Sequence, residues 1–202
     1  MELNLLFGIV VLIFSVIVHE VAHGAMANHL GDPTARMAGR LTLNPISHID
    51  PMGSVILPAI LALSHSPILF GWAKPVPYNP YNLQKGGKWA EALVAAAGPG
   101  SNLLLAGIFG LLMRLGAIPV EAMSLAFTIV FINVLLAVFN MIPIPPLDGS
   151  KVLGQLLPYN LAGSYARFRA TLERNALLGF ALVILLISMF GGVFYSLVIT
   201  IV

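Results

Sequence analysis

Apolar stretches of about 20 residues recur along this chain, the length an α-helix needs to cross the hydrocarbon core of a bilayer. No side chain between Leu5 and Val18 is ionisable. A first helix is expected from Leu3 to Leu30, closed by Gly31 and the Asp32-Pro33 breaker. At about 1.5 Å per residue it reaches about 42 Å, more than a hydrocarbon core of about 30 Å. Composition agrees: 58% of residues are hydrophobic, 9% are charged and the mean hydropathy is +0.94. A soluble domain carries about 25% charged residues. The N-terminus lacks the basic flank and small-residue cleavage site of a removable signal peptide, so the first helix is expected to stay in the mature protein.

Other function classes fall away. A net charge of +2, with no Lys/Arg run and no interleaving of basic and aromatic residues, gives no basis for nucleic-acid binding. With no cysteine, the chain has no disulfide, thiolate metal site or thiol nucleophile. No repeat, low-complexity tract or appended soluble domain interrupts the pattern.

After the first helix, residues 31–54 are polar and turn-rich, with alternation around Leu41 and Leu43 that predicts short strands on the cytoplasmic side. Further helices are expected over 89–115, 121–142 and 176–202, and a partly amphipathic stretch runs to Arg174. Nine of the ten Lys/Arg fall in the loops 31–51, 71–88 and 143–175; only Arg114 lies elsewhere. The positive-inside rule places those loops in the cytoplasm and both chain ends outside. Val55 to Phe70 is then flanked on both sides by cytoplasmic loops and cannot cross once, so it is expected to be a re-entrant hairpin bent at Ser64–Pro67. The expected fold is all-α and polytopic, with four full transmembrane helices, this hairpin and the short strands. It forms one membrane-embedded domain over 1–202, its core about 3–157 and its last helix about 176–202, in the plasma membrane.

One stretch of the first helix does not suit a membrane. His19-Glu20-Val21-Ala22-His23 places three ionisable groups inside an apolar helix, where such groups need partners or a function. Residues i and i+4 share a helix face, so His19 and His23 can grip one metal ion. Neutral imidazole suits Zn2+, and Glu20 between them can serve as general base toward the attacking water. The competing reading is a chance occurrence of H-E-x-x-H.

A catalytic zinc needs a third protein ligand and one open position. The candidates are His29, Asp32, His48, Asp50, His65 and Asp148. His29 and Asp32 lie too far along the first helix or at its end. Asp148, in "NMIPIPPLDG", follows the helix 121–142 on the same side of the membrane as His19, which favours it. Its competing role is to cap a helix over 149–157. His48 and Asp50 sit in an interfacial loop, His65 at the wet turn of the hairpin, and Lys151 reads as an interfacial snorkelling residue.

"HEVAH" together with "NMIPIPPLDG" resembles the site-2 protease family of intramembrane metalloproteases. "GDPTARMAGRLTLNP", "HIDPMG", "GWAKPVP" and "GPGSN" are similar to a compact prokaryotic branch of it. The resemblance covers about His19 to Gly149. It implies His19, His23 and Asp148 as zinc ligands, Glu20 as catalytic base, and functional roles for Asn102 and Asn140. A carboxamide can donate to a developing oxyanion or hold a substrate carbonyl; for either asparagine the alternative is interhelical hydrogen bonding without catalysis. Gly98-Pro99-Gly100, just before Asn102, lets another backbone come close. The chain lacks the extra helix before HEVAH and the PDZ and nucleotide-sensing domains of larger members, so any filter they provide is missing or supplied by a regulator in trans.

The expected function is therefore zinc-dependent hydrolysis of peptide bonds in or near transmembrane segments of membrane proteins, with the active site toward the cytoplasm. A substrate helix hides its peptide bonds and must unwind first; the edge around Arg40–Leu43, or the extended "WAKPVPY", could receive it as an added strand. Two other classes compete. A metal transporter would carry ligands on several helices and repeated halves, and the chain has neither. An inactive helix-binding scaffold would have no use for Glu20.

Overall fold

The apolar runs do become helices. The structure is a computed structural model that describes residues 2–64, 71 and 73–202. Its α-helices are α1 (Glu2–His29), α2 (Thr34–Met37), α3 (Leu57–Leu63), α4 (Ala90–Arg114), α5 (Met123–Asn140), α6 (Asp148–Leu156), α7 (Tyr159–Arg174) and α8 (Ala176–Ile201). Leu5–His29, Gly87–Arg114 and Val120–Asn140 are long and apolar enough to cross a membrane. The boundaries fall within about two residues of those expected, as fraying helix ends allow.

Helices α1, α4 and α5 pack against one another, α6 packs on α4, and α8 leans on α5 and α7. Small residues let α4 sit in the middle: Ala90, Ala92, Ala95, Gly98 and Ala106 are all buried. Close backbone approach through small side chains is how helices associate in lipid, where no hydrophobic driving force separates helix from solvent. Two apolar clusters result. One joins Ala27 and Leu30 to Ala90 and Val94. The other, at the opposite end, joins Ala106, Val130, Val134 and Val198. Leu5, Leu6, Ile9, Ile13 and Phe14 of α1 point outward and stay exposed, as a lipid-facing surface requires.

Two expectations need adjustment. Among the described residues there is no β-strand. Around Leu41 and Leu43 the chain forms bends, and Gly39 at φ 65° turns it sharply just before. Isolated links replace a ladder: the Arg40 guanidinium donates to Lys74 O at 2.7 Å, and Lys74 N–H donates to His48 O at 2.9 Å. Val55–Phe70 begins as helix, a π-helical turn over Pro51–Ile56 running into α3. Most of its expected bend, from residue 65 onward, lies outside the described residues.

Candidate metal centre

Helix α1 delivers the two histidines by its own periodicity. Ser15, His19 and His23 follow at i+4 intervals and are all buried, forming one polar stripe on an otherwise apolar helix. The imidazoles meet at 4.6 Å between centroids with planes at 86°. Helix α6 delivers the carboxylate. Asp148 is its first residue, after Leu147 at the cap position, and turns its side chain toward α1. Asp148 Oδ2 lies 3.1 Å from His19 Nε2 and 3.2 Å from His23 Nε2. The helix-cap alternative is thus not what the structure shows. Gly149 permits the approach, because a Cβ there would press into the carbonyl of Met141 at the end of α5. The three potential ligand atoms lie within 4.8 Å of one another.

The other ring nitrogens decide what this cluster can hold. His23 Nδ1–H donates to the Val94 carbonyl at 2.7 Å, and His19 Nδ1–H donates to Asn102 Oδ1 at 2.6 Å. A neutral imidazole carries one N–H, so both Nε2 atoms are left with lone pairs. They converge on a carboxylate that is itself only an acceptor. Three acceptors pointed at one buried spot fit a cation, and two imidazoles with one carboxylate is a known catalytic zinc set. Gly98 of α4 closes the far side: a Cβ there would run into Nε2 of both histidines. The sequence marks Gly98 only as a place for close approach; what approaches is the pair of ligand rings.

Glu20 stands apart from this cluster. Its Oε2 accepts the Val76 N–H at 2.9 Å, from the irregular segment 73–79, and its side chain is half-buried. Glu20, His19, Asn140, Gly71 and Ala73 share the wall of a cavity of about 220 Å³. Leu136 and Phe139 of α5 line that cavity and also an apolar groove of about 380 Å³ between α5 and α8, floored by Gly191. Asn140 donates one N–H to Leu136 O of its own helix and borders the cavity.

Asn102 lies elsewhere. It is wholly buried against His19 and does not line the cavity. Its Nδ2 donates to Asn133 Oδ1 at 2.9 Å and to Ser15 O at 3.3 Å. Asn133 is equally buried and donates to Ser15 Oγ and Ile129 O, each at 2.9 Å. Sequence reasoning missed Asn133 and Ser15. Two signals pointed to them: a lone asparagine within the apolar run 123–139, and a serine four residues before His19 on the same face.

The remaining candidates have other occupations. Asp32 accepts from Thr34 N–H, Thr34 Oγ1–H, Asn79 N–H and the Asn82 side chain. Burial pushes its carboxyl up, but these donors outweigh burial and hold it below the usual carboxylate range. Asp50 Oδ1 accepts the Gly53 N–H at 2.7 Å and starts the helical turn that follows. His48 is buried, its Nε2 bonded to Thr42 O at 2.8 Å. His29 is exposed beyond the cluster. Lys151 rests over the Tyr78 ring, 5.3 Å from its centroid. His65 lies outside the described residues.

Comparison with known proteins yields one family and several relatives. A family model described as Peptidase family M50 matches residues 116–188, a span that takes in Asp148 and Asn140 but not the HEVAH segment. The chain is 41% identical over 160 residues to "Putative zinc metalloprotease YwhC" of Bacillus subtilis, covering 74% of this chain and 68% of the relative. It is 31% identical over 187 residues to "Putative zinc metalloprotease Rip2" of Mycobacterium tuberculosis, covering 91% of this chain and 68% of the relative. Against the protein of the same name from Mycolicibacterium smegmatis the identity is 34% over 146 residues, 70% of this chain and 53% of the relative. No solved structure matches the chain significantly.

Proposed function

This chain belongs to peptidase family M50, the zinc metalloproteases of intramembrane, site-2 type, and from that premise we propose how its residues divide the work. His19, His23 and Asp148 hold the Zn2+, Glu20 is the general base, and Asn140 binds the substrate backbone. The observation that carries this reading is the convergence of two bare Nε2 atoms and a carboxylate on one buried spot, with Glu20 beside it but outside it.

Bound there, Zn2+ would supply Lewis acidity, polarising the scissile carbonyl and acidifying the attacking water. Glu20 accepts the proton as the water oxygen bonds to the carbonyl carbon, and returns it to the amide nitrogen as the C–N bond breaks. The Val76 N–H keeps one carboxylate oxygen of Glu20 oriented, leaving the other for that proton. Asn140 can donate its second N–H to a substrate carbonyl across the cavity, a contact of the kind that stabilises developing charge. Segment 73–79 is neither helix nor strand, and an unwound substrate segment laid along it would pass Glu20, which Val76 touches. The apolar groove between α5 and α8 shares Leu136 and Phe139 with this cavity, and a transmembrane segment lying in it would approach Glu20 from that side.

In the finer topology α8, 26 residues long, is a fourth span and Val55–Phe70 a re-entrant hairpin. The Lys/Arg-rich loops, and with them the active site, face the cytoplasm of a plasma membrane. The whole chain 1–202 acts as one domain, its core 3–157 followed by the last helix, and its activity is tuned by a regulator in trans. Because the native chain has no cysteine, single cysteines at positions 34 and 86 test the hairpin. Labelling from the same side is expected, and labelling from opposite sides would break it.

The central experiment compares the parent with Glu20→Gln. The variant keeps volume and hydrogen bonding but loses the proton acceptor. It is expected to bind about one zinc per chain and to trap a transmembrane peptide, while cleavage falls by roughly 100-fold or more. Cleavage near the parent rate would overturn the assignment.

A further inference from the structure

We infer that Asn133 is a positioning residue for the metal centre: through Asn102 it dictates which nitrogen of His19 carries the proton. The inference rests on His19 being a metal ligand.

The argument is one of hydrogen-bond polarity. A backbone carbonyl can only accept. Ile129 O receives an N–H from Asn133 at 2.9 Å, so the amide nitrogen of Asn133 must point that way. Its other N–H goes to Ser15 Oγ at 2.9 Å. Asn133 then has only its carbonyl oxygen to present to Asn102. Asn102 must answer with its own nitrogen, which also donates to a second backbone carbonyl, Ser15 O. That leaves Asn102 Oδ1 facing His19 Nδ1 at 2.6 Å. An oxygen there demands a proton on Nδ1, and Nε2 is left bare to face Asp148 and the ion. Two carbonyls on two different helices thus set the direction of the whole relay, from α5 through α4 to α1. Asn102 and Asn133 are wholly buried, so no water competes for these bonds, and reversing one amide would leave buried donors facing donors.

His23 offers an internal control. Its Nδ1–H goes directly to the Val94 carbonyl, and no side chain intervenes. A change at Asn133 should alter His19 and leave His23 alone.

The experiment uses the full-length protein in detergent micelles. Zinc affinity is measured by chelator competition, and the tautomers of His19 and His23 by nitrogen-15 imidazole shifts in the metal-free protein. In Asn133→Leu, Asn102 loses the shorter of its two acceptors and keeps only the 3.3 Å bond to Ser15 O, so its amide is held less firmly in one orientation. Zinc affinity is expected to fall about 10–100-fold, the usual effect of losing an outer partner of a ligand, and His19 to become a mixture of tautomers while His23 stays unchanged. Asn133→Asp should restore both readouts to near the parent, because a buried neutral carboxyl presents a carbonyl to Asn102 and an O–H to Ile129 O. If Asn133→Leu does not fold, Asn133→Ala carries the same expectation. An unchanged His19 tautomer and parent-like zinc affinity in the folded apolar variant would overturn the inference, as would equal shifts at His19 and His23. His19→Ala separates the two levels of argument: if it binds zinc like the parent, the ligand assignment itself fails. If it loses zinc while the Asn133 variants do not, only the relay fails.

Discussion

Two aspartates in this protein look alike in the sequence and do opposite jobs. Asp32 and Asp148 each follow the end of a membrane helix, each precedes or begins a short helix, and both are buried, at 0% and 8% exposure. Asp32 is surrounded by donors: two backbone N–H groups, a hydroxyl and a carboxamide point at it. Its charge is satisfied, and it staples the turn after α1 to the loop at 79–82. Asp148 faces two ring nitrogens whose protons are committed elsewhere. In the proposed assignment its charge is completed by a cation. What a buried carboxylate does is therefore set by the donor count of its neighbours.

Exchanging each carboxylate for an amide puts that contrast at risk. The largest effect is expected from Asp148→Asn. An amide oxygen is a poorer, uncharged ligand, so zinc affinity should drop by more than the about 10–100-fold typical of an outer partner, and cleavage with it. Elemental analysis of the purified variant, with circular dichroism to confirm the helices, checks this. Full zinc occupancy would remove Asp148 from the ligand set and undo the comparison.

A smaller and different effect is expected from Asp32→Asn. The amide keeps one acceptor but turns an N–H toward donors, at a cost of roughly 1–3 kcal/mol for buried groups left unpaired. The thermal midpoint in micelles should fall while one zinc per chain remains, and loss of zinc at unchanged stability would reverse the roles assigned here. Acid sharpens this test. The folded-state pKa of Asp32 lies below its ordinary 3.8, so its contribution to stability is full above that value and is lost as pH falls through the folded one. Between about pH 5 and pH 2 the parent should lose stability more steeply than Asp32→Asn, and parallel curves would deny Asp32 that role.

Much of the site was legible before any coordinates. The i+4 pair His19 and His23, with Glu20 between them, needs only helical periodicity and the cost of ionisable groups in lipid to stand out. Asp148 required one more step, a third ligand at matching depth. The spans followed from apolar length, which is a local property of the chain. The strands around Leu41 and Leu43 did not follow, because alternation is a weak signal in a loop where Gly39 turns the backbone and isolated links replace a ladder. For Asn102 the sequence leaves substrate contact and interhelical hydrogen bonding both open, because its partners, His19 and Asn133, lie on other helices.

By itself, the sequence determined that the chain carries helices long and apolar enough to cross a membrane, and which of them bears the His19-Glu20-His23 cluster, since each of these depends on neighbours within a turn or two of helix. Only the tertiary structure brought Asp148 against both histidines, gave the Cβ space of Gly98 to their rings, and set Asn133 behind Asn102. Those are meetings between residues 75 to 129 positions apart for Gly98 with His23 and Asp148 with His19, and no local pattern encodes them. They arise when α1, α4, α5 and α6 pack closely enough that polar groups at the centre of the bundle must meet one another.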